Sequence, residues 1–203
     1  MAFLKRVGVG KGLSGLLNPW ADGNKGRVRD PGDDGGVLNI HMGKADDGMS
    51  KDPAVRQLSD FEGVWQIMRK IIHADGTVAR FNGTGTFARV QSGLVYDESG
   101  ALQFEMQRTD VSGAAELGPK ITGTRRYFWD TPDDGSGADH VPVRFADGRA
   151  FHLVPLGGGD AAHWCDPDQY DVSYDFTQWP VWEAVWHVRG PRKDYVMTSQ
   201  YCR

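Results

Sequence analysis

From residue 62 to residue 203 the chain never sustains a helical period. Short runs rich in β-branched and aromatic residues alternate with turn chemistry instead, which is the pattern of an antiparallel β protein. The spacing predicts strands near 62–73, 77–90, 93–98, 101–109, 124–130, 140–146, 149–155, 161–166, 169–176, 181–189 and 194–202. Ala74-Asp75-Gly76, Ser99-Gly100, "TPDDGSGAD", Ala146-Asp147-Gly148, "GGGD" and "GPRK" stand between them. The Ala-Asp-Gly triplet occurs twice, each time where a hairpin needs a residue tolerant of positive φ. The connection "VSGAAELGPKITG" has room for a short helix, and "PAVRQLSDFEG" for one or two helical turns before the first strand. A run of consecutive hairpins is a meander, and a long meander removes its edges by closing. The expected fold is all-β: an up-and-down barrel of about 8–10 strands.

The aromatic residues say where this barrel begins. Residues 1–57 hold two of the 22, Phe3 and Trp20, but 11 of the 27 glycines. Residues 1–52 are therefore expected to be a disordered Gly/Asp-rich arm, and 53–203 the folded domain. The net charge of −4 argues against a nucleic-acid partner. No stretch approaches the roughly 18–20 apolar residues of a membrane span. Two cysteines, Cys165 and Cys202, make no disulfide framework, and the expected location is the cytoplasm.

The first strand opens "DFEGVWQIMRKI", with Gly63-x-Trp65, and the chain ends "YVMTSQYCR", with Arg203. This pairing resembles the calycin superfamily of lipocalins, fatty-acid-binding proteins and avidins. In those barrels a Gly-x-Trp opens the first strand, and a basic residue near the last strand packs across the indole. The resemblance implies barrel closure by Trp65 and Arg203, with cation–π energy between them. The stretches "GVWQIMRKIIHADGTVARFNGTGTF", "RRYFW", "VRFADGRAFH", "HWCDPDQYDVSYDF" and "WHVRGPRKDYVMTSQYCR" are also similar to a small family described only as a domain of unknown function. That similarity covers about 58–203 and implies a fold without an activity.

Strand parity assigns the faces, because alternate residues share one. A four-residue "GPRK" loop sets Val188 against Tyr195, Trp186 against Met197, Ala184 against Ser199 and Trp182 against Tyr201. A four-residue "DPDQ" loop sets Cys165 against Tyr170 and His163 against Val172. Asp171, Ser173 and Asp175 then face water, and Tyr174 and Phe176 face in. A four-residue "GGGD" loop sets His152 against Cys165, and a two-residue Asp-Gly turn sets His152 against Val143. A three-residue Ala-Asp-Gly loop with a bulge would instead expose His152 and bury Phe151 and Leu153. Arg69 shares the parity of Trp65, so it needs an acidic partner or an anionic ligand, and one of Arg125 and Arg126 must face in. His140 and His187 read as surface residues.

Aromatic walls with a few convergent polar groups describe a small-molecule site. The ligand expected is polar or anionic, held by Arg69, Arg125, Tyr174, Trp186, Ser199 and Tyr201. The alternative is a barrel enzyme, an isomerase or cyclase using His152 or His163 as acid or base. A second alternative is a structural or interaction module with a filled core. His152, His163 and Cys165 match no metal-ligand spacing, with or without His73 as a fourth ligand, so no metal is expected. No cofactor signature is legible.

Overall fold

A computed structural model describes residues 55–106, 116–132 and 139–203. The expected N-terminal arm lies outside the described residues. A 3-10 turn, Leu58–Phe61, precedes eleven strands: β1 Gly63–His73, β2 Val78–Val90, β3 Gly93–Met106, β4 Glu116–Leu117, β5 Ile121–Asp130, β6 His140–Phe145, β7 Ala150–Pro155, β8 Gly159–Cys165, β9 Asp168–Asp175, β10 Trp182–Gly190 and β11 Lys193–Cys202. Ten of them form one antiparallel path in the order β7-β6-β5-β3-β2-β1-β11-β10-β9-β8, and the short β4 pairs only with β3. The path nearly closes into an antiparallel meander barrel. Its two end strands, β7 and β8, are chain neighbours and pack together, yet no backbone ladder joins them. Among the described residues no helix is long and apolar enough to cross a membrane.

Inside–outside alternation follows the residue types. In β9, Tyr170, Val172 and Tyr174 are buried, while Ser173 and Asp175 are exposed. The β10–β11 register is the one expected: Trp182↔Tyr201, Ala184↔Ser199, Trp186↔Met197 and Val188↔Tyr195. The β8–β9 hairpin is tighter than expected. Asp166 and Pro167 alone make its turn, so Cys165 opposes Asp168 and His163 opposes Tyr170. The slip is two residues, and an even slip leaves every face unchanged.

Three other expectations are corrected. The four-residue "GGGD" loop is not formed: Gly159 and Asp160 belong to β8, which makes no ladder with β7, so His152 is not paired with Cys165. Ser99-Gly100 is not a turn: β3 runs unbroken through it, and Gly100 pairs with Gly83 on one side and Gly123 on the other. A Cβ on Gly100 would lie 2.5 Å from the Asn82 carbonyl oxygen. The glycine is there for close strand approach rather than for chain reversal. The described part of the "VSGAAELGPKITG" connection contributes β4 and the start of β5, and residues 111–115, where a short helix has room, lie outside the described residues. The Ala146-Asp147-Gly148 loop has three residues, closed by Phe145 N–H to Arg149 O at 2.9 Å, with Gly148 at φ +87°. Taken alone it reverses the parity of β7. A bulge then sets Phe151 and His152 together against the single residue Val143, and pairing resumes at Pro142↔Leu153 and Val141↔Val154. The two reversals cancel. His152 stays inside, Phe151 joins it, and Leu153 is exposed.

The 3-10 turn plugs one end of the barrel. Phe61 is fully buried, 5.2 Å from both Trp129 and Trp179 and 5.5 Å from Phe176 between ring centroids. Trp65 donates its indole N–H to Phe61 O at 2.7 Å. The Arg203 guanidinium lies 4.3 Å over the Trp65 ring and donates to Glu62 O at 3.0 Å and Asp60 O at 2.9 Å. The last residue thus ties the incoming turn to the first strand.

Candidate functional site

The interior is mostly filled by aromatic side chains, but a cavity of about 50 Å3 remains at its centre. One wall is ionic. Arg69 projects inward from β1 and grips Glu98 of β3 with two hydrogen bonds, Nη1 to Oε1 at 2.7 Å and Nη2 to Oε2 at 2.6 Å. Its Nε donates to Ser199 Oγ at 2.7 Å, and Tyr96 donates its hydroxyl to Glu98 at 2.7 Å. Arg125 Nε lies 3.8 Å from the same carboxylate. Burial alone would raise the Glu98 pKa, but the two guanidinium groups outweigh it and hold the carboxyl at about 2. Burial likewise opposes the charge on Arg69, and Glu98 overrides it. The cavity lining therefore carries two guanidinium groups and one carboxylate.

The opposite wall is aromatic and neutral. His152 Nε2 and the Tyr174 hydroxyl are 2.7 Å apart, and the imidazole is edge-on to Trp186 at 5.1 Å. Burial, with a smaller contribution from His163, pushes the His152 pKa down to about 3, so the ring is neutral at ordinary pH. Burial also keeps Tyr174 protonated. With the phenol as donor to Nε2, the ring proton is assigned to Nδ1. Among the described residues that atom is buried with no hydrogen-bond partner, and so is the indole nitrogen of Trp182, whose ring stacks on Tyr201 at 3.7 Å.

Arg69, Arg125, His152, Tyr174, Trp186 and Tyr201 all line the cavity. Ser199 is buried beside it as the acceptor for Arg69. His163 is half-buried and edge-on to Phe151 at 5.2 Å, away from the cavity lining. Burial lowers its pKa, partly offset by a hydrogen bond with the Phe151 backbone. Arg126 is exposed and pairs with Asp97, and His140 and His187 are exposed. Cys165 and Cys202 are free thiols, and the described residues contain no cluster of ligand side chains that could hold a metal ion.

Sequence reasoning missed Glu98 and Tyr127, and had Phe151 inside only in the alternative register that exposes His152. The signal for Glu98 was parity: it alternates with Leu94 and Tyr96, both apolar and inward, and was masked by the turn expected at Ser99-Gly100. Phe151 was hidden by the bulge.

No curated protein matches the chain. Among solved structures it is similar to an S-type phycobiliprotein lyase, CPES, from Guillardia theta, at 9% identity over 71% of this chain and 87% of that one, with a TM-score of 0.47. It is also similar to a protein of unknown function from the DUF3598 family of Nostoc punctiforme PCC 73102, at 13% identity over 72% of this chain and 48% of that one, with a TM-score of 0.40. The profile of one family covers residues 61–203, the whole barrel with the aromatic plug at its base, and the chain belongs to that family, the family of unknown function DUF6314.

Proposed function

We propose that the barrel binds a small molecule through an anionic or carbonyl-bearing group seated in the central cavity. Two unpartnered nitrogens, His152 Nδ1 and Trp182 Nε1, carry this reading. Buried polar groups in folded proteins are rarely left unsatisfied, because each orphan costs about 1–3 kcal/mol. In the tautomer assigned above both nitrogens are donors, and the guanidinium excess of the lining favours the same complement: an acceptor, preferably charged.

The test is a thermal-shift series with small carboxylates and their amides, on the wild type and on Arg125→Met. Carboxylates are expected to raise the melting temperature in proportion to the logarithm of concentration, the amides less, and Arg125→Met to lose the difference. No stabilisation by any acid at millimolar concentration would refute the reading.

A second reading is a barrel enzyme with an interior acid–base pair. It is favoured by one observation, the His152–Tyr174 contact between a neutral imidazole and a protonated phenol. Substrate turnover that disappears in His152→Ala while binding persists would select it over binding alone.

A further inference from the structure

The cavity's size limits what it holds. About 50 Å3 accommodates a head group or a few waters, since one water needs roughly 10–15 Å3 by this measure. Small-molecule sites typically span ~300–1,000 Å3. The rest of a larger ligand must therefore lie outside it.

Two surface spaces share lining residues with the cavity. One, of about 830 Å3, shares Glu98, Arg125 and Tyr127. There the wall is a hydrogen-bonded sheet, with Tyr96↔Tyr127, Asp97↔Arg126 and Glu98↔Arg125 in register. The other, of about 500 Å3, shares Val143, Phe151 and His152. It lies along the β7–β8 seam, where no ladder closes the wall. Pro142, Leu153, Ala161 and Ala162 give it a small and apolar stretch, and Asp130, His140, Arg144 and Asp160 complete its lining. Phe151 comes from the bulge, stacks on Trp186 at 5.5 Å and 11°, and is common to both spaces. Displacing this ring toward β8 breaks no ladder hydrogen bond, because no ladder joins β7 to β8.

We propose that the β7–β8 seam is the route into the cavity and the seat of the ligand's body, with Phe151 as the gate, and that the ligand is a compact anionic head on a flat apolar body. This rests on the reading of the cavity as an anion site. The head lies by the guanidinium wall, and the body lies in the groove between Leu153 and Ala161.

The probe is 8-anilino-1-naphthalenesulfonate, a flat anion, with fluorescence titration and stopped-flow association on the full chain. Four variants are compared, each checked for a cooperative melt: Phe151→Ala, Leu153→Trp, Thr86→Trp and Arg125→Met. The wild type is expected to bind one probe. Phe151→Ala should speed association about tenfold by removing the gating step, Leu153→Trp should slow it by a similar factor, and Thr86→Trp, in the other surface space, should leave it unchanged. Arg125→Met should weaken binding without altering the association rate. Leu153 is 52% exposed, so its variant carries the test even where Phe151→Ala does not fold. Arg125-dependent binding whose rate ignores both seam variants, or responds only to Thr86→Trp, overturns the seam proposal and leaves the cavity reading intact. Absence of one-to-one binding, or indifference to Arg125→Met, overturns the cavity reading and the seam proposal with it.

Discussion

At the scale of single residues, the interior is governed by what burial does to charge. Glu98 is the pivot: one carboxylate, 4% exposed, accepts from Arg69 and Tyr96 and faces Arg125. Glu98→Gln keeps the shape and removes the charge, leaving the buried Arg69 guanidinium without its carboxylate. Loss of one partner of a buried pair costs about 3–5 kcal/mol. The expected result is a lower urea midpoint with unchanged slope. His152 acts in the opposite sense. Its folded-state pKa, about 3, is below the ordinary 6.5, so between those values the unfolded chain binds more protons. Its contribution to stability is complete above pH 6.5 and is lost as the pH falls toward 3. His73 and His163 are also lowered by burial and act in the same direction. Each histidine contributes a slope of at most about 1.4 kcal/mol per pH unit. His152→Phe should flatten the fall in stability between pH 6.5 and 4.5, above the range of Glu98. A parallel pH profile for the variant would show that His152 charges freely in the fold.

The elements show which parts of this architecture a sequence makes legible. β10 and β11 were readable to the residue, because Trp182, Trp186, Met197 and Tyr201 are large and alternate strictly around a short loop. The β6–β7 hairpin was not, because its loop length and its bulge each reverse parity, and a pattern of apolar positions responds only to their sum. The inward Glu98 was legible in the alternation of β3, yet a Ser-Gly pair looks the same in a turn and in a crowded strand. The crowding is itself testable. A Cβ on Gly100 meets the backbone of Asn82 and Gly83, which cannot move aside as a flexible side chain would. Gly100→Ala should therefore cost about 1–3 kcal/mol, as overpacking does, measured by chemical denaturation. An unchanged midpoint would mean that the strands separate freely at this row. The seam has its own signature. Segments 150–155 and 159–165 lack a ladder on one side, so their amides should exchange with deuterium earlier than those of 63–73, which is paired on both sides.

For the molecule as a whole, stability centres on the base. Phe61, Trp65, Trp179 and Trp182 form one aromatic cluster, and Arg203 clamps it. Trp65→Ala should cost about 3–5 kcal/mol, as for other buried aromatics. Arg203→Ala should cost about 1–2 kcal/mol, through an exposed cation–π contact and two hydrogen bonds to carbonyls. Melting curves of the two variants rank them, and equal losses would mean that the guanidinium, not the indole, holds the base. A chain beginning at Pro53 should melt with the full chain, because residues 1–52 offer two aromatics to bury.

The unlaced joint between β7 and β8 makes this barrel a split ring. A fully laced cylinder widens only by rupturing bonds that hold it shut, so its bore is fixed. A split ring opens at its cut, guided by the one hinge that spans it, here the Pro155-Leu156-Gly157-Gly158 turn. Its bore is therefore set at the cut by side-chain packing alone, while the other nine joints hold their register by hydrogen bonds.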